Sequence, residues 1–134
     1  MLDGQRSVLI VDPSDETREV LQTALERRGL RIFAAGAAHD GLELARSEQP
    51  DLIVVDLEAE DSAQEVVSAP FAEQSRTAQT PLVLLGSLRR GWQPPSGGEF
   101  VSKPYHYGPL IRRIEELLDT NSSSDESRPC RRCS

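Results

Sequence analysis

The chain is poor in the residues that stabilise small secreted domains or cross membranes. Its two cysteines, Cys130 and Cys133, both lie in the last five of the 134 residues, so no disulfide can cross-link the body of the protein. No apolar run approaches the roughly 20 residues that span a bilayer, and the N-terminus lacks the basic and then apolar pattern of a secretory signal. We therefore expect a cytoplasmic protein with no membrane partner.

Positive charge is also scarce. Lysine and arginine together number 15, against 22 aspartates and glutamates, which gives a formal net charge of -7. An acidic surface repels the phosphates of nucleic acids and of anionic membranes, so we expect neither as the main partner. The length suits a single domain.

What the chain does contain is a set of short, unbroken apolar runs. Residues 52–55 are leucine, isoleucine and two valines, and they lie between Asp51 and Asp56. A run of β-prone residues without polar alternation is typical of a strand that is buried on both faces, in a parallel sheet covered by helices. Ligands bind beyond the carboxyl ends of the strands in such sheets, so Asp56 is the first candidate site residue.

Similar strand patterns alternate with helical patterns along the chain, which indicates parallel βαβ units. Ser14 or Asp15 can begin the first helix, and Gly29 can end it. The predicted strands are residues 7–11, 30–35, 52–55, 80–85 and 99–102. The main predicted helices are residues 15–28, 38–48 and 109–118.

Two helices and the C-terminal end are predicted to be irregular. Residues 62–65 have the spacing of a capping box, but Pro70 should leave the third helix short or bent. Glycines and prolines before the fifth strand predict that the fourth helix is lost or very short. We place one domain at residues 1–119 and a disordered polar tail at residues 120–134, because the tail has no apolar residues to bury.

Three charged residues follow the ends of strands one, three and five: Asp12, Asp56 and Lys103. Right-handed crossovers in a sheet of order 2-1-3-4-5 would place these strands side by side, so the three groups are expected to converge. Mg²⁺ is commonly held by one or two carboxylates and water, a carboxylate can act as a nucleophile, and a lysine can neutralise an arriving phosphoryl oxygen. The combination predicts a site for phosphoryl transfer.

The order of these motifs resembles a response-regulator receiver domain of two-component signalling. The segments that carry the likeness are residues 8–12, 50–56, 81–85 and 100–104. The likeness covers roughly residues 6–119 and implies a flavodoxin-like, doubly wound, five-stranded parallel sheet. It also implies that Asp56 takes a phosphoryl group from a histidine kinase or a phosphotransferase protein and that Mg²⁺ is required. No DNA-binding or catalytic domain follows residue 119, so we expect a stand-alone receiver that signals through contact with a downstream protein rather than as an enzyme.

The resemblance assigns roles to further residues. It implies that Lys103 contacts the phosphoryl group and that the peptide bond between Lys103 and Pro104 is cis. It implies that Mg²⁺ is held by Asp12, Asp56 and the backbone carbonyl of Glu58.

Two of the departures from the receiver pattern fall on the predicted site. Receivers usually carry a second acid at the position of Pro13, which leaves Asp15 as a weak candidate to reach the metal ion through water. They usually carry a threonine or serine at the position of Gly86, for which Ser87 is a weak substitute. An alternative function therefore stays open, a pseudo-receiver that acts as an interaction module without phosphorylation.

The histidines and cysteines are expected to lie outside this site. His39 and His106 have no second histidine or carboxylate at ligand spacing, so we predict that they are surface residues. Cys130 and Cys133 form a single CxxC pair, which is half a zinc site or a redox pair without its usual surroundings, and their role stays open.

Overall fold

All five strands belong to one parallel sheet. A computed structural model of the chain describes residues 5–58, 64–87 and 98–126. Its strands are β1 (Ser7–Val11), β2 (Arg31–Ala35), β3 (Leu52–Asp56), β4 (Leu82–Gly86) and β5 (Gly98–Ser102). Their order in the sheet is β2-β1-β3-β4-β5, which confirms the predicted flavodoxin-like topology.

Four helices accompany the sheet in the described part of the chain. They are α1 (Asp15–Glu26), α2 (Ala38–Glu48), α3 (Gln64–Ala78) and α4 (Tyr107–Glu126). The predicted loss of a helix between β4 and β5 falls on residues 88–97 and lies outside the described residues, as do Cys130 and Cys133. None of the described helices is both long enough and apolar enough to span a bilayer.

Each face of the sheet packs against its own pair of helices. Along β1, Val8 and Ile10 belong to a buried cluster with side chains of α1 and α4. Leu9 and Val11 belong to a second buried cluster with side chains of α2 and α3. Alternate residues of a strand face opposite sides of the sheet, so a strand between two helical layers needs an apolar residue at every position. This packing explains the unbroken apolar runs.

The position of β5 differs from the prediction in one respect. β5 pairs with β4, and β4 pairs with β3, so β4 lies between β3 and β5. The expectation that strands one, three and five lie side by side is right for β1 and β3 and wrong for β5. A side chain that follows β5 must therefore cross the end of β4 to reach β3, which a lysine is long enough to do.

The third helix is longer than predicted. The sequence predicted a third helix that is either short or bent. α3 has 15 residues and continues through Pro70, so the first of these alternatives is wrong. Proline removes only one helical hydrogen bond, the one that its missing N–H would donate to the carbonyl of Val66. Val67 and Phe71, on either side of Pro70, are both almost completely buried. Their packing against the sheet stabilises the helix across the proline. The predicted capping residue Ser62 lies outside the described residues.

The last helix also extends past its predicted end. α4 continues to Glu126, so the predicted start of a disordered tail at residue 120 falls inside the helix. Once a helix is nucleated, each further residue gains one hydrogen bond for one residue fixed, and these two effects nearly balance, so a helix can extend beyond its apolar stripe. The rest of the predicted tail, residues 127–134, lies outside the described residues.

α2 packs very closely against β1 at Gly41. A Cβ atom on Gly41 would lie 2.4 Å from Cγ2 of Val11 and 3.0 Å from its Cγ1. These distances are shorter than normal carbon contacts, so a glycine is needed at this point of the helix. Val11 immediately precedes Asp12, and the contact therefore helps to set the position of the end of β1.

Candidate functional site

Two buried aspartates lie side by side at the carboxyl edge of the sheet. Val11 is in register with Val55, so Asp12, which follows β1, lies beside Asp56, the last residue of β3. Asp12 is 3% exposed and Asp56 is 4% exposed. Burial raises the pKa of Asp12 above its usual value, and the charge of Asp56 adds to the rise, while a hydrogen bond from the backbone of Ser14 opposes it.

Lys103 crosses the end of β4 and pairs with Asp56. Its Nζ lies 2.8 Å from Oδ2 of Asp56 and 3.1 Å from Oδ1. The backbone N–H of Glu58 also donates to Oδ1 of Asp56, at 2.8 Å. Burial alone would lower the pKa of Lys103, but hydrogen bonds and charge from Asp56 and Glu58 outweigh it and raise the pKa. The peptide bond between Lys103 and Pro104 is cis.

The side-chain carboxylate of Glu58 also contacts Lys103, and it contacts Ser87 as well. Its Oε1 lies 3.2 Å from Nζ of Lys103, and its Oε2 accepts a hydrogen bond of 2.9 Å from the hydroxyl of Ser87. The hydrogen bond from Ser87, and then that from Lys103, hold the pKa of Glu58 below its usual value. Sequence reasoning considered only the backbone carbonyl of Glu58. It missed this bridge because Ser87 and Lys103 are 29 and 45 residues away along the chain.

An open cavity of about 670 Å³ lies above these groups. Asp12, Asp56 and Lys103 line it, and the rings of Tyr105 and Tyr107 form part of its wall. The two rings meet edge to face, with their centroids 5.9 Å apart. Burial raises the pKa of Tyr105 well above its usual value, and the charge of Asp12 adds to the rise, so its phenol is neutral at physiological pH.

The chain has relatives among curated bacterial regulators. It is 35% identical over 117 residues to the transcriptional regulatory protein AfsQ1 of Streptomyces coelicolor, which covers 84% of this chain and 51% of that protein. It is 30% identical over 129 residues to the KDP operon transcriptional regulatory protein KdpE of Escherichia coli, which covers 92% of this chain and 56% of that protein. The chain thus spans about half the length of these two relatives. No family model matches it.

The fold is that of solved receiver domains. The structure superposes on a CheY-like response regulator receiver domain protein from Methanospirillum hungatei with a TM-score of 0.73 and 18% sequence identity, over 90% of this chain and 99% of that chain. This chain belongs to the response-regulator receiver family. The receiver carries Asp12, Asp56 and Lys103 at the carboxyl edge of the sheet, at the positions where the sequence motifs predicted them.

Receiver domains generally bind Mg²⁺ through acidic residues, and this receiver offers part of such a site. Asp12 and Asp56 present carboxylate oxygens, which are the ligands that Mg²⁺ prefers. Repulsion by the charge of Asp56 contributes to the raised pKa of Asp12. A cation between the two carboxylates would relieve this repulsion. Pro13 lines the cavity but has no side-chain oxygen. The residues therefore fit an ion held by two carboxylates and water.

Asp15 is not brought into the site. Its side chain is 90% exposed and forms an ion pair with Arg18, and it is not among the residues that line the cavity. Arg18 also donates a hydrogen bond of 2.8 Å to the backbone carbonyl of Asp12. The side chain of Arg18 therefore connects the start of α1 to the end of β1 outside the cavity. Of the two acids, Asp12 lines the cavity and Asp15 does not.

The prediction for His39 needs a correction. His39 does have carboxylates at ligand spacing, because its Nε2 lies 3.5 Å from Oε2 of Glu43, one helical turn away. The ligand atoms of His39, Asp40 and Glu43 all lie within 4.8 Å of one another. The three side chains are exposed on α2, which agrees with the prediction that His39 is a surface residue. None of them lines the cavity of the receiver.

Proposed function

We propose that this receiver accepts a phosphoryl group on Asp56 from the phosphohistidine of a histidine kinase or phosphotransferase protein. Its output would be a change in protein contact, and it would act in the cytoplasm as a phosphoacceptor rather than as an enzyme with its own substrate. The observation that carries the proposal is the setting of Asp56, whose carboxylate lies at the floor of an open cavity and is held by Lys103 and by the N–H of Glu58.

The proposed step is an in-line displacement at phosphorus. An oxygen of Asp56 attacks, the new O–P bond forms as the P–N bond to the donor imidazole breaks, and the bonding electron pair leaves with the imidazole nitrogen. Lys103 offsets the negative charge on the phosphoryl oxygens, and the N–H of Glu58 fixes the orientation of the attacking carboxylate. Mg²⁺, held by Asp12 and Asp56, would supply further charge neutralisation when bound.

The proposal is tested by incubation with acetyl phosphate at millimolar Mg²⁺, followed by intact mass spectrometry. We expect the mass of one phosphoryl group on the wild-type chain, none on Asp56→Asn, and a much slower gain on Lys103→Ala. Asp40→Asn is the matched control, because Asp40 is an exposed carboxylate that does not line the cavity. A mass gain that persists in Asp56→Asn, or no gain at any metal concentration, would refute the proposal.

A second candidate function is an interaction module that works without phosphorylation. Two departures favour it: Pro13 supplies no acid to a metal ion, and Gly86 supplies no hydroxyl to a phosphoryl group. The occupation of Lys103 and Ser87 by the carboxylate of Glu58 also favours it. This candidate predicts that Asp56→Asn and the wild type bind a protein partner equally well, even after incubation with the phosphodonor.

A further inference from the structure

Hydrogen-bond donors from two strand ends converge on the carboxylate of Glu58. The ammonium of Lys103 approaches one oxygen at 3.2 Å, and the hydroxyl of Ser87 donates to the other at 2.9 Å. The backbone of Ser87 contributes a further hydrogen bond that stabilises the charged form. Glu58 follows β3, Ser87 follows β4 and Lys103 follows β5. The arrangement is therefore an anion site filled by a side chain of the protein itself.

A phosphoryl group on Asp56 would need the same donors. Lys103 is already within 2.8 Å of the Asp56 carboxylate, so oxygens added to Asp56 would meet its ammonium first. Ser87 follows Gly86, which has no side chain, and is therefore the hydroxyl that the end of β4 offers to the cavity. Both donors are engaged by Glu58 in the structure, and a dianionic phosphoryl group would also be repelled by the Glu58 charge.

We propose that the side-chain carboxylate of Glu58 binds the donors that a phosphoryl group on Asp56 would use. Glu58 must therefore release Lys103 and Ser87 before Asp56 can be phosphorylated. This inference rests on the proposed function, because it describes a step of the same reaction. The Glu58 side chain is 38% exposed, so it can swing into solvent without crossing the protein core. Phosphorylation then exchanges one anion for another, and Glu58 sets the rate of that exchange.

The contacts broken are one partly exposed ion pair and hydrogen bonds to a serine, so the effect should be moderate. We expect Glu58→Gln, which keeps the shape but removes the charge, to be phosphorylated by acetyl phosphate about three- to tenfold faster than the wild type. Glu58→Ala, which removes every side-chain contact, should be at least as fast. Glu116→Gln is the matched control, because Glu116 is also an exposed carboxylate paired with an arginine, but on α4.

Ser87 tests the competition directly, because its hydroxyl binds Glu58 in the structure and, in this proposal, binds the phosphoryl group afterwards. If Glu58 competes for the hydroxyl, Ser87→Ala should slow phosphorylation clearly in the Glu58→Ala chain but less in the wild-type chain, where loss of the contact with Glu58 compensates. If Glu58 does not compete for it, Ser87→Ala should slow the reaction equally in both chains. A purely structural role for Glu58 would change the thermal midpoint without this dependence on Ser87, so the midpoints of all variants are measured as well.

The outcomes separate this inference from the proposed function. Faster phosphorylation of both Glu58 variants, together with a Ser87→Ala effect that is larger in the Glu58→Ala chain than in the wild-type chain, supports it. A wild-type chain that is phosphorylated while the Glu58 variants are equal or slower overturns the inference and leaves the proposed function intact. A Ser87→Ala change that slows both chains equally also overturns the inference alone. No phosphorylation of any variant overturns the proposed function and this inference together.

Discussion

Replacing Gly41 with alanine is expected to destabilise the fold at the point where α2 meets β1. The new Cβ atom would lie 2.4 Å from Cγ2 of Val11 and 3.0 Å from its Cγ1. Val11 is completely buried in the centre of the sheet, and its β-branched side chain has few alternative rotamers. The clash must therefore be relieved by moving α2 or the end of β1.

Two opposing effects set the size of the change. Overpacking a buried site typically costs about 1–3 kcal/mol, while alanine is favoured over glycine inside a helix by about 1 kcal/mol. Because the contact is so short, we place the overpacking cost near the upper end of its range. The free energy of unfolding should then fall by about 1–2 kcal/mol, and Asp12 should shift relative to Asp56.

Urea denaturation at 25 °C measures this change. Gly108→Ala is the matched control, since its added Cβ would meet no atom within 4 Å apart from its chain neighbours and its own helix backbone, and it should be neutral or slightly stabilising. Combining Gly41→Ala with Val11→Ala should destabilise the fold by less than the sum of the two single changes, because the new methyl group fills the space that Val11 vacates. A Gly41→Ala chain as stable as Gly108→Ala would contradict the predicted clash with Val11. Additive effects of Gly41→Ala and Val11→Ala would contradict it as well.

Three further predictions concern the metal, the surface and the C-terminal end. Asp12→Asn should weaken Mg²⁺ binding by at least about tenfold in isothermal titration calorimetry, whereas Asp15→Asn should leave it unchanged; equal effects would contradict the assigned site. Arg113 holds the pKa of Glu99 below its usual value, so their ion pair stabilises the fold above about pH 4.5 and is lost at lower pH as Glu99 becomes protonated. Since these side chains are 42% and 36% exposed, Glu99→Gln should cost no more than about 1 kcal/mol at pH 7 in urea denaturation, and that cost should shrink as the pH is lowered below about 4.5. A chain that ends at Asn121 should keep its thermal midpoint within a few degrees, and a larger drop would show that the removed residues contribute to folding.

The strands that carry the site were predictable because a strand buried on both faces has an unbroken run of apolar residues, which is visible in the local sequence. Residues 52–55 have no polar member, and the first charged residue after them, Asp56, has to stand at the edge of the sheet. The same reasoning applies to β1 and Asp12. These predictions needed only the strand pattern and the handedness of βαβ crossovers, both of which are local or general properties.

The remaining features depend on contacts between distant parts of the chain. Local propensity predicted a short or bent helix at Pro70, but with Phe71 buried against the sheet the helix continues past the proline. Asp15 has the right charge and lies near Asp12 in the chain, yet its side chain is held by Arg18 outside the cavity. The bridge made by the Glu58 side chain depends on residues from two other strands, so no local pattern could reveal it.

The pairing of Lys103 with Asp56 also has a consequence for how the chain folds. The first half of the chain, up to β3, is sufficient to bring Asp12 and Asp56 together, but their lysine arrives only after β4 and β5 have joined the sheet. In an intermediate made of the first three strands, β3 would be an edge strand and the two aspartates would repel each other without a countercharge. This repulsion disfavours the intermediate relative to the complete sheet, in which Lys103 has joined them, and so favours cooperative folding of both halves.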